Sequence, residues 1–410
     1  MESSIQSPTL RKIRPDDQRA LQQFWTLRQA EGTPLIESLP EDPTRCLVTF
    51  LWRSSRVCHV EISSLLKPDW REPNYLVRLR GTDIWYRSYM TRSDIRTVYF
   101  FTASQQPAAN ATPQEWMAYS RTLGPDPLNR RQFLYPADPE DPEDRAQAGS
   151  VVSLPNAPLS PQLSPHAAES PPNLEMHRFQ SRLLGNERRV WLYRPPARLR
   201  PSSKPPRLLV VFDGQAYLTL IPTTAILEDL QSRGRLGPMY AVLVDSVSAV
   251  LRNKELLCDP AFARFVVREL LPWVEKQFGH RFPAKQSTIV GSSLGGLAAS
   301  YVAWRNPERF GNVVSQSGVF SRSLEGQEPG WLIRRFAEEP RKPIRFHLEA
   351  GLLETGGGGD PGILESNRNF RNVLRAKGNL VLYSEFPGGH DYLWWGDTLG
   401  PALAALARRS

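Results

Sequence analysis

The sequence predicts an α/β protein in two parts, a small N-terminal β-sandwich followed by a larger domain built on a mostly parallel sheet. Three observations predict it. Strand-like and helix-like segments alternate from about Leu174 onward. Short runs rich in Val, Ile, Phe and Tyr, separated by turn formers, occupy the stretch before Pro136. Between the two, Pro136, Pro139, Pro142, Pro155, Pro158, Pro161, Pro165, Pro171 and Pro172 punctuate Ala, Ser and acidic residues. At 410 residues the chain also exceeds the roughly 250–300 at which a single core stops growing. The expected division is a sandwich domain at 1–135, a linker at 136–173 and an α/β domain at 174–410.

Each element has its own warrant. A helix is expected around Asp17 to Glu31, and strands over Cys46–Trp52, Val57–Ile62, Tyr75–Leu79 and Thr97–Thr102. The prolines of 136–173 leave no room for a helix or a central strand, so a linker draped over the surface is expected. Beyond it, His177–Leu184 and Glu187–Tyr193 flank Gly185-Asn186 as a hairpin. Leu208–Phe212, Tyr240–Val244, Ser287–Val290, Asn312–Val314, Ile344–Glu349 and Leu380–Phe386 read as strands. Ala261–Phe278, Gly295–Trp304, Ile363–Ala376 and Leu399–Ala407 read as helices. Such alternation implies a sheet covered on both faces.

Composition limits the function classes. The formal charge of +9 describes a surface that attracts anions, but no long Lys/Arg run or nucleic-acid motif accompanies it. No nucleic-acid partner is expected; a generally basic surface or an anionic small substrate is. Cys46, Cys58 and Cys258 are odd in number and lack metal-site spacing, which points away from a disulfide framework or zinc. No stretch approaches the roughly 18 apolar residues of a membrane span, and Met1-Glu2-Ser3-Ser4 leads into polar sequence. No membrane insertion is expected, and a cytoplasmic protein is.

The chemistry lies in Gly291-Ser292-Ser293-Leu294-Gly295-Gly296. Strand Thr288-Ile289-Val290 precedes it and helix Leu297-Ala298-Ala299 follows, so the serine sits on a sharp strand-to-helix turn that projects its hydroxyl from the sheet edge. Gly291 and Gly295 would be glycine because the turn brings them together, and Gly296 would let the helix pack near the strand. Ser293 is the expected nucleophile; Ser292 lies at the wrong register. A serine hydroxyl needs a base, and the base an orienting carboxylate, in the chain order Ser, acid, His. His347 falls inside an apolar strand, whereas His390 follows the last strand in a glycine-loosened loop, and it is the expected base. The acid should follow Ile344–Glu349: Glu354 is the preferred candidate and Asp360, after Gly356–Gly359, the alternative. Asp391 adjoins the histidine and is expected on the surface. The oxyanion would be held by the amides of Leu294 and of Gln215, which follows Asp213-Gly214 after the first long central strand. These features together specify an α/β-hydrolase with a serine triad.

The residues resemble the enterochelin (ferric enterobactin) esterase family along nearly the entire chain. The matching pieces are Phe212-Asp213-Gly214-Gln215, Arg252 with Glu255-Leu256, Glu269-Leu270-Leu271-Pro272-Trp273, the elbow, Ser315-Gln316-Ser317-Gly318, and Gly388-Gly389-His390-Asp391-Tyr392 with Trp395. In the N-terminal half they are Gly32-Thr33-Pro34, Val48–Arg53 and Asp126-Pro127-Leu128-Asn129. The Gly356–Gly359 insertion departs from shorter members and leaves the acid open between Glu354 and Asp360. The resemblance implies hydrolysis of the ester backbone of a ferric tricatecholate siderophore, an anionic substrate suited to a basic pocket. Arg252 is the preferred substrate contact, with a salt bridge to Glu255 as its alternative. Trp52 and Arg53 could shape the far side of the pocket, although core packing would explain Trp52 equally well. No metal or organic cofactor is expected, since the iron belongs to the substrate. The competing readings are a general carboxylesterase or acyltransferase on the same scaffold, and a non-catalytic binder of an anionic ligand.

Overall fold

The computed structural model of the chain describes residues 6–56, 59–64, 66, 74–104, 122–141, 144–160, 172–199, 205–324, 326–357 and 359–408. The expectations placed on Val57, Cys58, Pro142, Pro161, Pro165, Pro171 and Gly358 lie outside the described residues. The chain divides into two compact units: Met1–Leu159 with Pro387–Asp391, and Ser160–Phe386 with Tyr392–Ser410.

The first unit holds β1 (Leu35–Ser38), β2 (Arg45–Arg53), β3 (His59–Ser63), β4 (Val77–Arg78), β5 (Ile84–Arg92), β6 (Arg96–Ser104), β7 (Gln132–Tyr135) and β8 (Gln147–Ser153). They form two four-stranded sheets, ordered β1-β2-β5-β4 and β3-β6-β8-β7. Aromatic side chains of β2 and β6 join the sheets: Phe50 meets Tyr99 at 4.7 Å and Trp52 meets Phe101 at 5.4 Å between ring centroids. The intervening Leu51 points the other way, into a cluster with Phe24 and Trp25 of the Gln18–Glu31 helix. Burial on both faces explains why Cys46–Trp52 is apolar at every position but Thr49. Asp17 caps that helix by accepting from the Ala20 amide.

The stretch 136–173 is not all linker, because β8 lies within it and runs between β6 and β7 in the middle of a sheet. A proline restricts its own site and the residue before it; the proline-free window Gln147–Ser153 escapes both. Its weak apolar content hid it, as did the shortness of β1 and β7.

The second unit holds β9 (Leu174–Ser181), β10 (Asn186–Tyr193), β11 (Arg207–Phe212), β12 (Met239–Val244), β13 (Ser287–Ser292), β14 (Asn312–Gln316), β15 (Arg345–Gly351), a small ribbon of β16 (Thr355–Gly357) and β17 (Asp360–Pro361), and β18 (Val381–Phe386). The main sheet has eight strands in the order β18-β15-β14-β13-β11-β12-β10-β9. It is parallel from β18 to β12, with the β9–β10 hairpin added antiparallel at one edge. In β11, Leu208, Val210 and Phe212 feed one core and Leu209 and Val211 the other, so each face is covered by helices. The expected 261–278 helix runs as Pro260–Phe265, a π-turn at Val266–Leu270 and Leu271–Phe278. Pro272, just beyond the π-turn, lacks the amide that regular winding would use. The last helix starts at Tyr392 rather than Leu399, since Gly396, Gly400 and Pro401 mask its period.

Candidate active site

Parallel pairing of β11 with β13 brings the C-terminal ends of these neighbouring strands to the same edge of the sheet. The Gly214–Thr219 helix leaves the first and the Leu294–Arg305 helix the second. Gln215 and Leu294 thus lie in first turns, where amides have no carbonyl partner within the helix and the dipole favours negative charge.

Ser293 joins β13 to its helix at φ 56°, ψ −123°. A non-glycine residue held there costs about 1–3 kcal/mol, so the surroundings must enforce it. They do so through the backbone: the Ser293 amide donates to the Gln316 carbonyl at 2.9 Å, and its own carbonyl accepts from Gly296 at 3.1 Å. A Cβ on Gly291 would lie 2.3 Å from the Gly295 carbonyl, which makes glycine necessary at 291. The nearest neighbour to a Cβ on Gly295 would instead be Asp213 Oδ2, at 3.3 Å. At Gly296 the obstacle is the Ser315 hydroxyl of the adjacent strand, 2.4 Å away. Ser293 is partly exposed whereas Ser292 is wholly buried, which agrees with the register argument.

The two candidate acids differ in their surroundings. Glu354 follows β15, is 4% exposed, and its Oε2 accepts from the Gly351 amide at 2.6 Å. Asp360 sits on the small ribbon, where Oδ1 accepts from the Gly362 amide at 2.9 Å, at the start of the Gly362–Ala376 helix. His390 lies between β18 and the Tyr392–Ala407 helix, in the loop Pro387–Asp391 that groups with the first unit. In that unit β6 holds the loop: the Arg96 amide donates to the Pro387 carbonyl at 2.9 Å. Asp391 Oδ2 accepts from the Thr97 hydroxyl at 3.1 Å and the Val98 amide at 3.3 Å. Asp391 is therefore buried, not a surface residue.

Arg252 does not pair with Glu255. Its Nε and one terminal nitrogen grip the two oxygens of Asp213, each at 2.7 Å. Burial disfavours its charge, but the Asp213 carboxylate overrides that and holds the guanidinium above its ordinary pKa. Glu255 is taken by Arg188, in a bidentate pair that is itself buried. Asp213 has left-handed backbone (φ 56°) and abuts the elbow through Gly295. Arg252 thus sits beside the nucleophile turn with its side chain 27% exposed. In the first unit, Trp52 packs edge-on to Phe101, and Arg53 pairs with Asp83 at 2.7 Å beneath its cation–π contact with Trp25. Both line a small cavity with Trp25, Gln29 and Leu128. Among the described residues no cluster of three His, Cys, Asp or Glu could hold a metal ion.

Residues 181–406 match the Esterase family, and residues 47–163 match the enterochelin esterase N-terminal family. The chain belongs to the enterochelin esterase family. The iron(III) enterobactin esterase of Dickeya dadantii is 30% identical to it over 91% of this chain and 89% of the relative. Among solved structures, the ferric enterobactin esterase of Salmonella typhimurium superposes with a TM-score of 0.73 at 25% identity, covering 95% of this chain and 99% of that one. The enterobactin esterase of Shigella flexneri, crystallised in the presence of enterobactin, gives 0.72 at 27% identity over 94% and 98%. The motif-level resemblance and the expected α/β-hydrolase architecture both stand, and the chain is an esterase.

Sequence reading of this enterochelin esterase family member missed what lies under the elbow. Glu349 is 0% exposed on β15, and His347 is two residues before it on the same strand. Burial drives the Glu349 carboxyl up to about 7, against hydrogen bonds from Thr398 and Gln316 and helped by the nearby Glu354 charge. Burial drives His347 down to about 4. Both are therefore neutral in the fold at mildly acid pH, where the unfolded chain carries both charges. Glu349 stabilises below its unfolded value of 4.5, an effect lost as pH rises to about 7. His347 stabilises above its unfolded value of 6.5, an effect lost as pH falls to about 4. The two slopes oppose each other in wild type, and single substitutions should unmask them. Urea midpoints of Glu349→Gln are expected to fall as pH is lowered through that range, and those of His347→Leu to fall as pH is raised. Slopes of one sign in both variants would contradict these protonation states.

Proposed function

We propose that this chain hydrolyses the ester backbone of ferric catecholate siderophores such as enterobactin, with Ser293 as nucleophile, His390 as base and Glu354 as the orienting acid. The observation that carries the reading is that both parts of the chain match the family's parts, in order and over nearly their full length. The strained turn at Ser293 and the first-turn amides of Leu294 and Gln215 support the catalytic roles. For the acid, each candidate accepts one backbone amide, and the burial of Glu354 directly beyond β15 supports it over Asp360 on the small ribbon.

In this reading His390 takes the Ser293 proton as Oγ attacks the ester carbonyl. The Leu294 and Gln215 amides hold the oxyanion. As the tetrahedral intermediate collapses, His390 protonates the departing alkoxide and leaves an acyl-serine. Water, deprotonated by His390, then attacks the acyl carbon, and the proton returns to Ser293 Oγ as the acid product leaves. The steps call on side chains and backbone alone; iron enters and leaves with the substrate. Arg252, oriented by Asp213, offers its remaining N–H donors to catecholate oxygens. A cytoplasmic site of action, with neither nucleic acid nor membrane as partner, completes the proposal. No helix among the described residues is long and apolar enough to cross a membrane.

The test sets ferric enterobactin beside a neutral aryl ester. The proposal expects kcat/KM to favour the siderophore by about 100-fold or more, because an ester without catecholate oxygens leaves the site's polar donors unpaired. Equal values would favour the general carboxylesterase, and failure to react with a fluorophosphonate would favour a non-catalytic binder.

A further inference from the structure

Gln316, at the end of β14, is completely buried beside the elbow and joins four elements at once. Its backbone carbonyl accepts the Ser293 amide at 2.9 Å. Its side-chain Oε1 accepts from the Tyr217 hydroxyl at 2.8 Å. Its Nε2 faces Glu349 Oε1, the Trp395 carbonyl and the Thr398 hydroxyl, each at 2.9 Å. Since a peptide carbonyl can only accept, the Trp395 contact fixes the amide's orientation, and the Tyr217 hydroxyl must donate to the other end.

These partners carry the working parts of the site. Tyr217 is two residues after Gln215, in the same short helix, and is 0% exposed. Glu349 lies on β15, whose end leads to Glu354, and the Ser317 amide donates to the Glu349 carbonyl at 2.8 Å. Trp395 and Thr398 belong to the helix that begins two residues after His390. Trp395 also donates through Nε1 to the Ser317 hydroxyl at 3.1 Å. A buried polar network of this kind favours one arrangement of the elements it ties.

We propose that Gln316 is a positioning residue for the serine chemistry, the node that sets the Ser293 turn in register with the helix bearing the Gln215 amide. The inference rests on Ser293 as nucleophile and Gln215 as an oxyanion donor. A sub-ångström loss of register acts on the reacting geometry more than on ground-state binding, so kcat should suffer and KM should not.

The experiment measures kcat and KM for p-nitrophenyl butyrate per active serine, the active fraction being titrated with a fluorophosphonate. Gln316→Met, which keeps length but removes all side-chain hydrogen bonds, is expected to lower kcat per active serine about 100-fold with KM within about threefold. Tyr217→Phe removes a single hydroxyl and is expected to lower kcat about tenfold, again at constant KM; it decides the question if Gln316→Met does not fold. Gln316→Glu keeps the acceptor for Tyr217 but loses the donors, and should resemble Gln316→Met rather than wild type. Wild-type kcat per titrated serine in the folded variants, with any loss confined to the amount of active protein, would overturn the proposal and reduce the network to a stabilising role. Failure of the underlying reading would look different: the wild-type protein itself would not be labelled at Ser293.

Discussion

Ser293→Ala is expected to abolish turnover of aryl esters and ferric siderophore alike, by at least about 10⁴-fold in kcat, the scale at which removing a triad nucleophile leaves only oxyanion and binding effects. The fold should be unaffected, because alanine keeps the Cβ and the backbone bonds of residue 293 run to Gln316 and Gly296. Ser293→Gly sharpens the expectation. Glycine tolerates the positive φ of this turn, so its folded state should be freed of part of the roughly 1–3 kcal/mol held there, offset by the entropy of a freer unfolded chain at about 0.4–1 kcal/mol. An inactive Ser293→Gly at least as stable as wild type would show that the strain serves catalysis. Thermal unfolding and p-nitrophenyl ester turnover measured side by side give both quantities. Retained turnover in either variant would remove Ser293 from the mechanism.

The second large effect concerns the acid. Glu354→Gln is expected to lower kcat by about 10³–10⁴-fold, as loss of the carboxylate that orients and charges a triad histidine does elsewhere. Asp360→Asn is expected to stay within a few-fold of wild type, since the Gly362 amide bond to Oδ1 can be remade by the asparagine oxygen. The contrast follows from placement. Glu354 is 4% exposed directly beyond β15, whereas Asp360 stands on the ribbon that the glycine-rich insertion builds. Steady-state kinetics on the two variants separate the candidates, and a large loss in Asp360→Asn alone would exchange their roles.

Which parts of this molecule can be read in advance follows from the locality of the signal. The elbow is legible because one of its constraints is local: a Cβ at Gly291 would meet Gly295, four residues on. The central strands are legible because burial on both faces leaves runs such as Leu208–Phe212 with no polar interruption. β8 is not, because its place in the sheet is set by β6 and β7 rather than by its own Gln-Ala-Gly-Ser sequence. The ion pairs are illegible for the same reason. Arg252 and Glu255 are spaced for a helical pair, yet each finds a partner distant in sequence, Asp213 and Arg188. Glu349 reads as the polar end of a strand; only the packed structure shows it beneath Gln316 and Thr398. Short resemblance motifs did contain Gln316 and Asp391, but a motif states identity and not which bonds a side chain makes.

Product analysis on ferric enterobactin tests the proposed reaction most directly. Ferric enterobactin is incubated with wild type and with Ser293→Ala, and the products are resolved by mass. Wild type is expected to add water across the serine ester bonds, giving linear dihydroxybenzoyl-serine fragments, and Ser293→Ala to leave the trilactone intact. An untouched trilactone in the presence of wild type that is fully labelled by fluorophosphonate, or equal cleavage by both proteins, would contradict it.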